Sequence, residues 1–488
     1  MPRDYVHARL EGAFDATHVQ IHKLSGAEVI SRLFHFDVEV AVIEPADLNP
    51  EALCGSEVDL IFEHKGLDKV EIRRVHAMIV AMDDLLDTEP TFRTYRMRLA
   101  PRAHRLTMVE TQEIFLDLSV PDIIKKKLEM VGLSGADVEM RLASTYAPRE
   151  LTVQYQETDY AFICRLCEHL GVSFFFELSG GKDTMVFTDH AEGFSRLPRS
   201  SPFVFQARGE RSDIYQLEVR QELVPGAWVM TDYNYRTPQL DLTVSHESPV
   251  GVAGGVVEYG SHHRTPEEGK TLAAVRAQER EARCRFFSGM SDLPELRGGG
   301  HFKLEEHPRL EGAELLLVEV HHDLTQVAVG HGSDEEPQPY VNHFRAIHAK
   351  TTYRPPRVTP RPKMYGVATA LIEPNASGEI GKVARIDDQG RYTVKFYFDP
   401  SPIGSKPRSS QQVRMIQQHS GPDYGTHMPL KAGIEVLIIF VDGDPDRPLI
   451  VGSVHNPITP SPVVEKSELY HRIKTAAGVL IEMKDDFF

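Results

Sequence analysis

The chain has 488 residues, a length typical of roughly two to four domains. Hydrophobic residues make up 41% of it and charged residues 26%, which excludes a largely disordered chain, a collagen-like fibre and an all-helical coiled coil. The formal net charge is −17, and nucleic-acid affinity depends on cationic side chains. We therefore expect a multidomain globular protein that does not bind nucleic acid.

Signals for export or membrane insertion are missing from the sequence. No apolar run approaches the roughly 18 residues that span a bilayer. The first residues, MPRDYVHARLEGAFD, lack a basic start followed by an apolar stretch. The four cysteines are too few for a disulfide scaffold. We expect a protein without a signal peptide that is made in the cytoplasm with its thiols reduced.

The N-terminal part, to about residue 115, is predicted to consist of strands. Residues 31–44 and 68–85 alternate apolar and polar side chains, and 92–103 follow as a further strand. Residues 118–133 then change to helical spacing, and Gly132 is a stop signal. The apolar face of this helix consists of Ile123, Ile124, Leu128 and Val131.

A second helix is predicted from Asp159 to Leu170 and ends at Gly171. It contains Cys164 and Cys167, and because no second Cys or His pair lies at zinc-finger distance we interpret both as half-buried helix cysteines. The aromatic segment after Gly171 is expected to pair with residues 183–190 across an SGGK turn. Further strands are predicted at 214–223, 226–235, 301–305 and 314–322, and a charged helix at 267–287.

A proline-rich run over residues 351–366 favours an extended, stiff connector, so we place a domain boundary there. The region after it is all β. Its short predicted strands, separated by Gly, Pro and Asp turns, indicate a small oligonucleotide/oligosaccharide-binding (OB) barrel. These strands are EIGKVARID (379–387), RYTVKFYFD (391–399), QQVRMIQQ (411–418), IEVLIIFVDG (434–443) and PLIVGSVHN (448–456).

Between the last two strands lies the loop Gly443-Asp444-Pro445-Asp446-Arg447-Pro448. Glycine permits positive φ, Asp caps turns through its side chain, and Pro fixes φ. Arg447 beside Asp444 and Asp446 suggests a hydrogen-bonded fork that holds the loop. An ordinary hairpin loop with a surface arginine fits equally well.

Searches for catalytic, metal-binding or cofactor-binding constellations give no candidate. The chain has no HExxH, no GxxxxGK[ST], no GxSxG and no paired CxxC. Adjacent histidines, His262–His263 and His321–His322, point to opposite faces of a strand and do not chelate one metal in the usual way. The OB aromatics Tyr392, Phe396 and Phe398 align on one face, which favours barrel core over a stacking surface. We therefore predict no enzyme activity, no metal and no cofactor.

The stretch 426–457 resembles the OB domain of VgrG proteins, the trimeric spikes of type VI secretion systems. The matching positions are His427, Pro429, Gly433, Glu435, Gly443, Asp444, Pro445, Asp446, Arg447, Pro448 and Gly452, and Gly390 and Arg391 match the turn of the family's preceding hairpin. Upstream segments are also similar to the family, including IFLDLSVPDIIKKKLEMVGL and YQETDYAFICRLCEHLGVSFFFE. The resemblance covers roughly residues 5 to 488.

The resemblance implies a mainly β fold with four parts. Residues 1–350 would form a phage-tail-hub-like base of two related β-barrels with helical insertions, and 351–366 the connector. Residues 367–457 would form the OB domain, and 458–488 a linker and the start of a trimeric β-prism. In this family the prism continues for many strands, so here it would be short: naturally, by truncation, or because another protein completes it.

The resemblance also implies a function and partners. The chain would be a homotrimeric spike, seated on a hexameric Hcp-like tube among baseplate proteins, that punctures a target membrane on contraction and delivers effectors outside the cell or into a target cell. A PAAR-type protein would cap the tip. One alternative is the spike of an extracellular phage-tail-like injection particle. An alternative of another class is a β-barrel glycan-binding protein.

Overall fold

A computed structural model describes residues 5–44, 47–65, 69–86, 92–179, 181–199, 201–206, 212–328, 337–373, 384–403 and 405–485. The chain divides into two compact units. Unit 1 comprises residues 1–109, 121–146 and 158–360, and unit 2 comprises 110–120, 147–157 and 361–488. The short segments 110–120 and 147–157 fall inside the range predicted for the base, yet they belong to unit 2. The predicted boundaries at residues 350, 366 and 457 stay a prediction.

The described strands are β1 (Tyr5–Gly12), β2 (Val19–Val29), β3 (His35–Ile43), β4 (Glu57–Lys65), β5 (Lys69–Asp84), β6 (Phe92–Ala100), β7 (Glu110–Phe115), β8 (Val138–Arg141), β9 (Thr152–Thr158), β10 (Ser173–Ser179), β11 (Lys182–Thr188), β12 (Ser195–Arg196), β13 (Phe203–Val204), β14 (Ile214–Gln221), β15 (Pro225–Thr231), β16 (Val244–Glu247), β17 (Ala253–Tyr259), β18 (Arg285–Ser291), β19 (Gly300–Glu305), β20 (Glu314–Thr325), β21 (Val341–His348), β22 (Ala368–Ile372), β23 (Val394–Phe396), β24 (Arg414–Met415), β25 (Ser420–Gly421), β26 (Tyr424–Gly425), β27 (Glu435–Phe440), β28 (Pro448–Ser453), β29 (Tyr470–Lys474) and β30 (Leu480–Lys484).

The described helices are α1 (Pro50–Leu53), α2 (Val120–Met130), α3 (Asp159–Leu170) and α4 (Pro266–Cys284), and short 3₁₀ turns occupy Ala16–His18, Arg102–Thr107, Gly135–Asp137, Ala191–Gly193, Val441–Gly443 and Glu465–Ser467. Over the residues that the structure describes, no helix is both long and apolar enough to cross a bilayer.

Unit 1 is built on one large sheet. Its strand order is β1-β4-β5-β6-β3-β2-β20-β21-β18-β14, and β19 pairs with β20 and carries β12 and β13. Strands from both halves of the range predicted for two barrels lie in this sheet, joined where β2 pairs antiparallel with β20 and Leu24 faces Leu324. Two separate three-stranded sheets, β10-β11-β8 and β16-β15-β17, complete the described strands of unit 1. Alternate side chains such as Phe36, Val38 and Val40 of β3 are buried, as the sequence pattern predicts. The mainly β fold class with helical insertions is confirmed.

The ends of α3 and α4 are set by capping residues and by the start of the next strand. Thr158 Oγ1 accepts from Ala161 N and caps α3, and Gly171 closes the helix with a φ of 72°. Helix α4 is shorter than predicted, because residues 285–287 leave it to begin β18. There Phe287 is fully buried opposite Val219 of β14, and sheet pairing outweighs continued helical spacing.

Cys164 and Cys167 lie on α3 as free cysteines, as interpreted from the sequence, but both are buried rather than half-buried. Burial raises the pKa of the Cys164 thiol to about 12 and the pKa of Cys167 well above its ordinary value, so both thiols stay protonated and unreactive. The adjacent histidines His321 and His322 do point to opposite faces of β20. His321 is exposed near Glu319, whereas buried His322 bonds to Tyr340 Oη at 2.6 Å and Glu28 Oε2 at 3.2 Å.

The proline-rich run carries no helix or strand, but its first half is held firmly within unit 1. Arg354 Nη1 donates to the carbonyls of Gly171 and Asp189 at 2.9 and 2.7 Å. Arg357 forms a two-bonded fork with Glu258 at 2.7 Å each. The first half of the segment is therefore anchored by side chains in a way that the proline content alone does not reveal, and its role as an extended connector stays a prediction.

Unit 2 contains a five-stranded sheet in the order β23-β22-β27-β28-β24. Its core includes Tyr392, Val394, Phe396, Val436 and Ile438, all fully buried. Of the three OB aromatics predicted to form core, Tyr392 and Phe396 are fully buried, and Phe398 is partly buried against the same core. Strand β22 was not predicted. Of the strand predicted at 379–387, residues 379–383 lie outside the described residues, and Ile386 forms only an isolated bridge to Tyr392.

Strands β7 and β9 pair with each other and add a second layer to unit 2. Ile114, Leu151 and Val153 from these segments join the same buried core as the OB strands. The OB domain is therefore completed by two segments that precede its main body by more than two hundred positions in the sequence.

Candidate functional site in the OB domain and the C-terminal hairpin

The loop between β27 and β28, residues 441–448, is a compact turn closed by its own backbone. Val441 N donates to Arg447 O at 3.0 Å, and Arg447 N donates to Asp444 O at 2.9 Å. Asp442 and Gly443 have φ values of 54° and 70°, the left-handed region that favours glycine. The Gly-Asp-Pro-Asp pattern therefore has the predicted turn role, with Pro445 and Pro448 buried at its corners.

The two loop aspartates accept hydrogen bonds from two other segments of unit 2 and from the loop itself. Asp444 Oδ1 accepts from Arg361 Nη2 at 3.0 Å and from Asp446 N at 3.1 Å. Asp446 accepts from Arg361 Nη2 at 3.3 Å and from Val153 N at 2.7 Å. Both carboxylate side chains are only 6% exposed, so these bonds are well shielded from water.

Arg447, the residue suggested for a fork with these aspartates, places its Nε 3.9 Å from Asp444 Oδ2, too long for a hydrogen bond. The guanidinium that bonds to both carboxylates belongs to Arg361, which sequence reasoning missed. Its position in the proline-rich run, more than eighty residues before the loop, gives no local signal.

The segment after Arg361 lies along the same loop. Met364 N donates to Gly443 O at 2.7 Å, and Lys363 Nζ donates to Asp442 O at 2.9 Å. A methyl group added to Gly443 would lie 2.9 Å from the ring of Tyr365, closer than side chains tolerate. The loop is thus the place where the chain entering unit 2 is fastened.

The turn at Gly390 and Arg391 is a second family-motif position. Asp387 accepts from the backbone of Gln389 and Arg391 at 3.0 and 2.9 Å and from Arg391 Nε at 2.6 Å. Partial burial acts to raise the pKa of Asp387, but the bonds from Arg391 and Gln389 outweigh it and hold that pKa below its ordinary value. Gly390 supplies the positive φ of 72°.

Tyr392 connects this turn to the His427–Pro429 segment. Its buried hydroxyl lies 3.0 Å from His427 Nε2 and accepts from Leu430 N at 3.1 Å, directly after Pro429. The Tyr392 and His427 rings stack with centroids 6.2 Å apart. Burial, partly offset by the Leu430 amide, raises the pKa of Tyr392, so its hydroxyl stays protonated at physiological pH.

The remaining motif positions set strand pairing. Gly433 N donates to Ile372 O at 2.9 Å, and Glu435 Oε2 accepts from Asn456 Nδ2 at 2.9 Å. Pro448 and Gly452 of β28 face Phe440 and Leu437 of β27. The motif positions are thus accounted for by turns, strand pairing and packing within the OB domain, and the candidate surface for function lies elsewhere in unit 2.

That surface is the C-terminal hairpin, strands β29 and β30, which among the described strands pair only with each other. Ile473 faces Ile481 and His471 faces Met483, so these residues share one face. Arg472 faces Glu482 and Tyr470 faces Lys484, which makes the opposite face charged. Ile473, Ile481 and Met483 are 49%, 58% and 63% exposed, so an apolar face is open.

The architecture is that of a mainly β hub whose chain continues into an OB domain. The sequence matches the family described as phage tail baseplate hub (GPD) over residues 27–328, more than half of the chain. The chain belongs to this family. Residues 379–455 match the type VI secretion system/phage-baseplate injector OB domain.

Relatives and solved structures agree with this assignment. The type VI secretion system spike protein VgrG5 of Pseudomonas aeruginosa is 32% identical over 454 residues, 90% of this chain and 56% of that protein. The chain therefore spans little more than half the length of this relative. The Escherichia coli protein c3393, described as a type VI secretion component similar to the T4 tail proteins gp27 and gp5, shares the fold with a TM-score of 0.66 and 22% identity, covering 91% of this chain and all of that one. VgrG in a Francisella PdpA–VgrG complex gives a TM-score of 0.62 at 10% identity, covering 99% of this chain and 76% of that one.

Proposed function

We propose that this chain is one subunit of a trimeric VgrG-type spike, mounted on the tube of a type VI secretion system and driven through a target membrane by contraction. The observation that carries the proposal is the order of its parts: a baseplate hub over 27–328 followed by an injector OB domain over 379–455. The similarity to a VgrG spike protein over 90% of the chain supports the type VI assignment.

The C-terminal hairpin supports a trimer. An isolated two-stranded hairpin is marginally stable in water, and both of its outer edges are free to pair. Three hairpins around one axis would pair these edges and turn the faces bearing Ile473 and Ile481 inward, leaving Arg472 and Glu482 outside. Such an arrangement is the start of a β-prism and resists buckling, because its strands are paired across subunits.

The same proposal assigns partners. The base would seat on a hexameric Hcp-like tube among baseplate proteins, and a PAAR-type protein would cap the tip and carry effectors. The spike would assemble in the cytoplasm of the producing cell and be expelled on contraction. Its role would be mechanical rather than catalytic, and it would contact the target membrane only during puncture.

The alternatives predict different properties. A spike of an extracellular phage-tail-like particle would share the trimer, but would co-purify with a released particle rather than with a cell-anchored machine. A glycan-binding protein needs exposed stacking aromatics. Tyr392 and Phe396 are fully buried and cannot stack on a sugar, whereas Tyr365, Tyr397 and Tyr424 of unit 2 are exposed and are the side chains that such a protein would use.

The test is the mass of the full-length protein by native mass spectrometry, with one pair of matched variants. Three chains of 54.9 kDa give a particle of about 165 kDa. Ile481→Asp places a charge on the apolar face of the hairpin and is expected to abolish the trimer. Leu480→Asp places the same charge on the opposite face and is expected to preserve it.

A monomeric wild-type protein would contradict the trimer. Equal masses for the two variants would show that the hairpin face does not hold the subunits together. A trimer that fails to bind purified tube protein would leave the subunit contact intact but remove the assignment to an injection machine.

A further inference from the structure

A polar cavity of about 570 Å³ lies within unit 1, beside β5, β10, β11 and β12. This volume is in the range of small-molecule pockets. Its cationic lining residues are Arg73, Arg74, Lys182, Arg196 and Arg297. Its carboxylates are Glu71, Glu177 and Glu295. The cavity thus carries an excess of positive charge, although the whole chain has a net charge of −17.

Several of these charges already have partners within the protein. Arg73 donates to Glu28 and to the carbonyl of Pro294, and Arg74 pairs with Glu71 at 2.8 Å. Glu177 accepts from Arg141 at 2.9 Å. Glu71 and Glu177 are therefore paired with Arg74 and Arg141, and Glu177 also acts electrostatically on Arg297. Glu295 lies 3.6 Å from Arg199, and its buried Oε2 has no hydrogen-bond partner among the described residues. The five cations of the lining still outnumber its three carboxylates.

Among the described residues, Arg297 and Arg196 are the cations of the cavity that form no salt bridge with a carboxylate. Arg297 is only 8% exposed, and its one side-chain hydrogen bond within the described residues runs from Nη1 to Phe176 O at 2.8 Å. A guanidinium has five N–H donors, so most of them remain unused. Arg196 is exposed and forms no salt bridge or side-chain hydrogen bond in the described part of the chain.

Arg297 keeps its charge despite this burial. Burial and the neighbouring Arg73 lower the pKa of Arg297, while Glu28 and Glu177 act to raise it, and the result is about 10. The side chain is therefore cationic at neutral pH. A buried charge with one carbonyl partner is costly, and an anion that accepts from its free donors would offset that cost through charge-assisted hydrogen bonds.

We propose that this cavity binds a small anion bearing carboxylate or phosphate groups, with Arg297 and Arg196 as the cations that hold it. The site is distinct from the OB loop and from the C-terminal hairpin, and it does not depend on the proposed trimer.

The test uses isothermal titration calorimetry on the full-length protein, with sodium phosphate and sodium citrate as probes. Sodium chloride keeps the ionic strength constant, because salt screens charge. Saturable binding is expected for at least one probe. Arg297→Gln is expected to weaken it roughly tenfold or more, since it removes a charged donor set, and Arg196→Gln to weaken it severalfold.

Arg309→Gln is the matched control, because Arg309 is exposed, lies outside the lining of the cavity and changes the net charge equally. It is expected to bind the probe like the wild type. If the Arg297 variant fails to fold, the probe affinities of Arg196→Gln and Arg309→Gln are compared to test the proposal. The proposal is overturned by flat titrations of the wild type or by equal affinities of these two variants. If the wild-type titrations are flat and Arg196→Gln also changes the native mass of the full-length protein, the cavity is a protein–protein contact and the proposal is likewise overturned.

Discussion

The backbone amide of Val153 donates a 2.7 Å hydrogen bond to Asp446 Oδ1, joining residues 293 positions apart. Val153 lies on β9 and is buried in the same core as Ile372 and Ile438 of the OB sheet. This bond fastens an inserted strand to the loop that also receives Arg361. One short loop therefore binds two segments of unit 2 that are remote from it in sequence.

Asp446→Ala is expected to loosen this arrangement. Val153 N and the Arg361 guanidinium would lose an acceptor in a shielded site, which costs about 1–3 kcal/mol of local stability. Hydrogen exchange of peptides covering residues 147–157 should become faster, because exchange reports local opening. Asp388→Ala, an exposed aspartate in the turn before Gly390, is the control. Unchanged exchange in the Asp446 variant would show that the inserted strand is held by packing alone.

Arg361 and Arg447 are expected to differ in their effect on the same loop. Arg361 bonds to Asp444 and Asp446 at 3.0 and 3.3 Å, whereas Arg447 approaches Asp444 only to 3.9 Å. Arg361 is 32% exposed, so solvent screening limits the stability that is lost when Arg361 is replaced to about 1–2 kcal/mol. In double-mutant cycles with Asp444→Ala, measured by urea unfolding of the full-length protein, Arg361→Gln should therefore show a larger coupling energy than Arg447→Gln. A larger effect of the Arg447 variant would support the hydrogen-bonded fork between Arg447 and the two aspartates that the sequence suggests.

A comparison of three glycines of the OB domain distinguishes the cost of a left-handed backbone from the cost of a steric clash. At Gly443 φ is positive, and a methyl group would meet the Tyr365 ring at 2.9 Å. At Gly390 φ is equally positive, but the nearest atom, on His427, is 3.5 Å away. At Gly452 nothing lies within 4 Å of the added methyl group.

Alanine substitutions should rank accordingly in thermal unfolding. Gly452→Ala is expected to be close to neutral, Gly390→Ala to cost about 1 kcal/mol from the left-handed backbone, and Gly443→Ala to cost more. Equal losses of stability in Gly443→Ala and Gly390→Ala would mean that the Tyr365 ring moves aside at no cost.

Local patterns predicted much of the fold. Helical spacing and the stop at Gly171 placed α3 at its observed bounds, and the alternation of the OB aromatics correctly assigned Tyr392 and Phe396 to the core. These features depend on neighbours within a few positions, and sequence spacing reports such neighbours directly.

Contacts between distant segments could not be predicted in this way. Arg361 bonds to Asp444 and Asp446, and Val153 bonds to Asp446, only because the fold brings these distant segments of unit 2 together. In the same manner, Lys127 of α2 is fully buried against Asp159 of α3 at 3.0 Å, although a lysine in KKK reads as a solvated charge. Single-sequence periodicity carries no information about such pairs.

Asp292 is expected to destabilise unit 1 at neutral pH. It follows the buried end of β18, and its amide donates to Asp213 O at 3.2 Å. Burial, and then repulsion from the Asp213 carboxylate, raise the pKa of Asp292 from 3.8 to about 6. A raised carboxyl pKa means that the folded state favours the protonated form. The ionised form therefore costs stability as the pH rises from about 4 through about 6.

Asp292→Asn should remove this cost. With an allowance for partial exposure, the variant is expected to be about 1–2 kcal/mol more stable than the wild type near pH 8, and the two should converge near pH 4. Thermal unfolding at a series of pH values measures the difference, and Asp388→Asn controls for the loss of one surface charge. Parallel curves for wild type and Asp292→Asn across this range would mean that Asp292 titrates alike in the folded and unfolded chain, and that its burial is relieved by the surrounding hydrogen bonds.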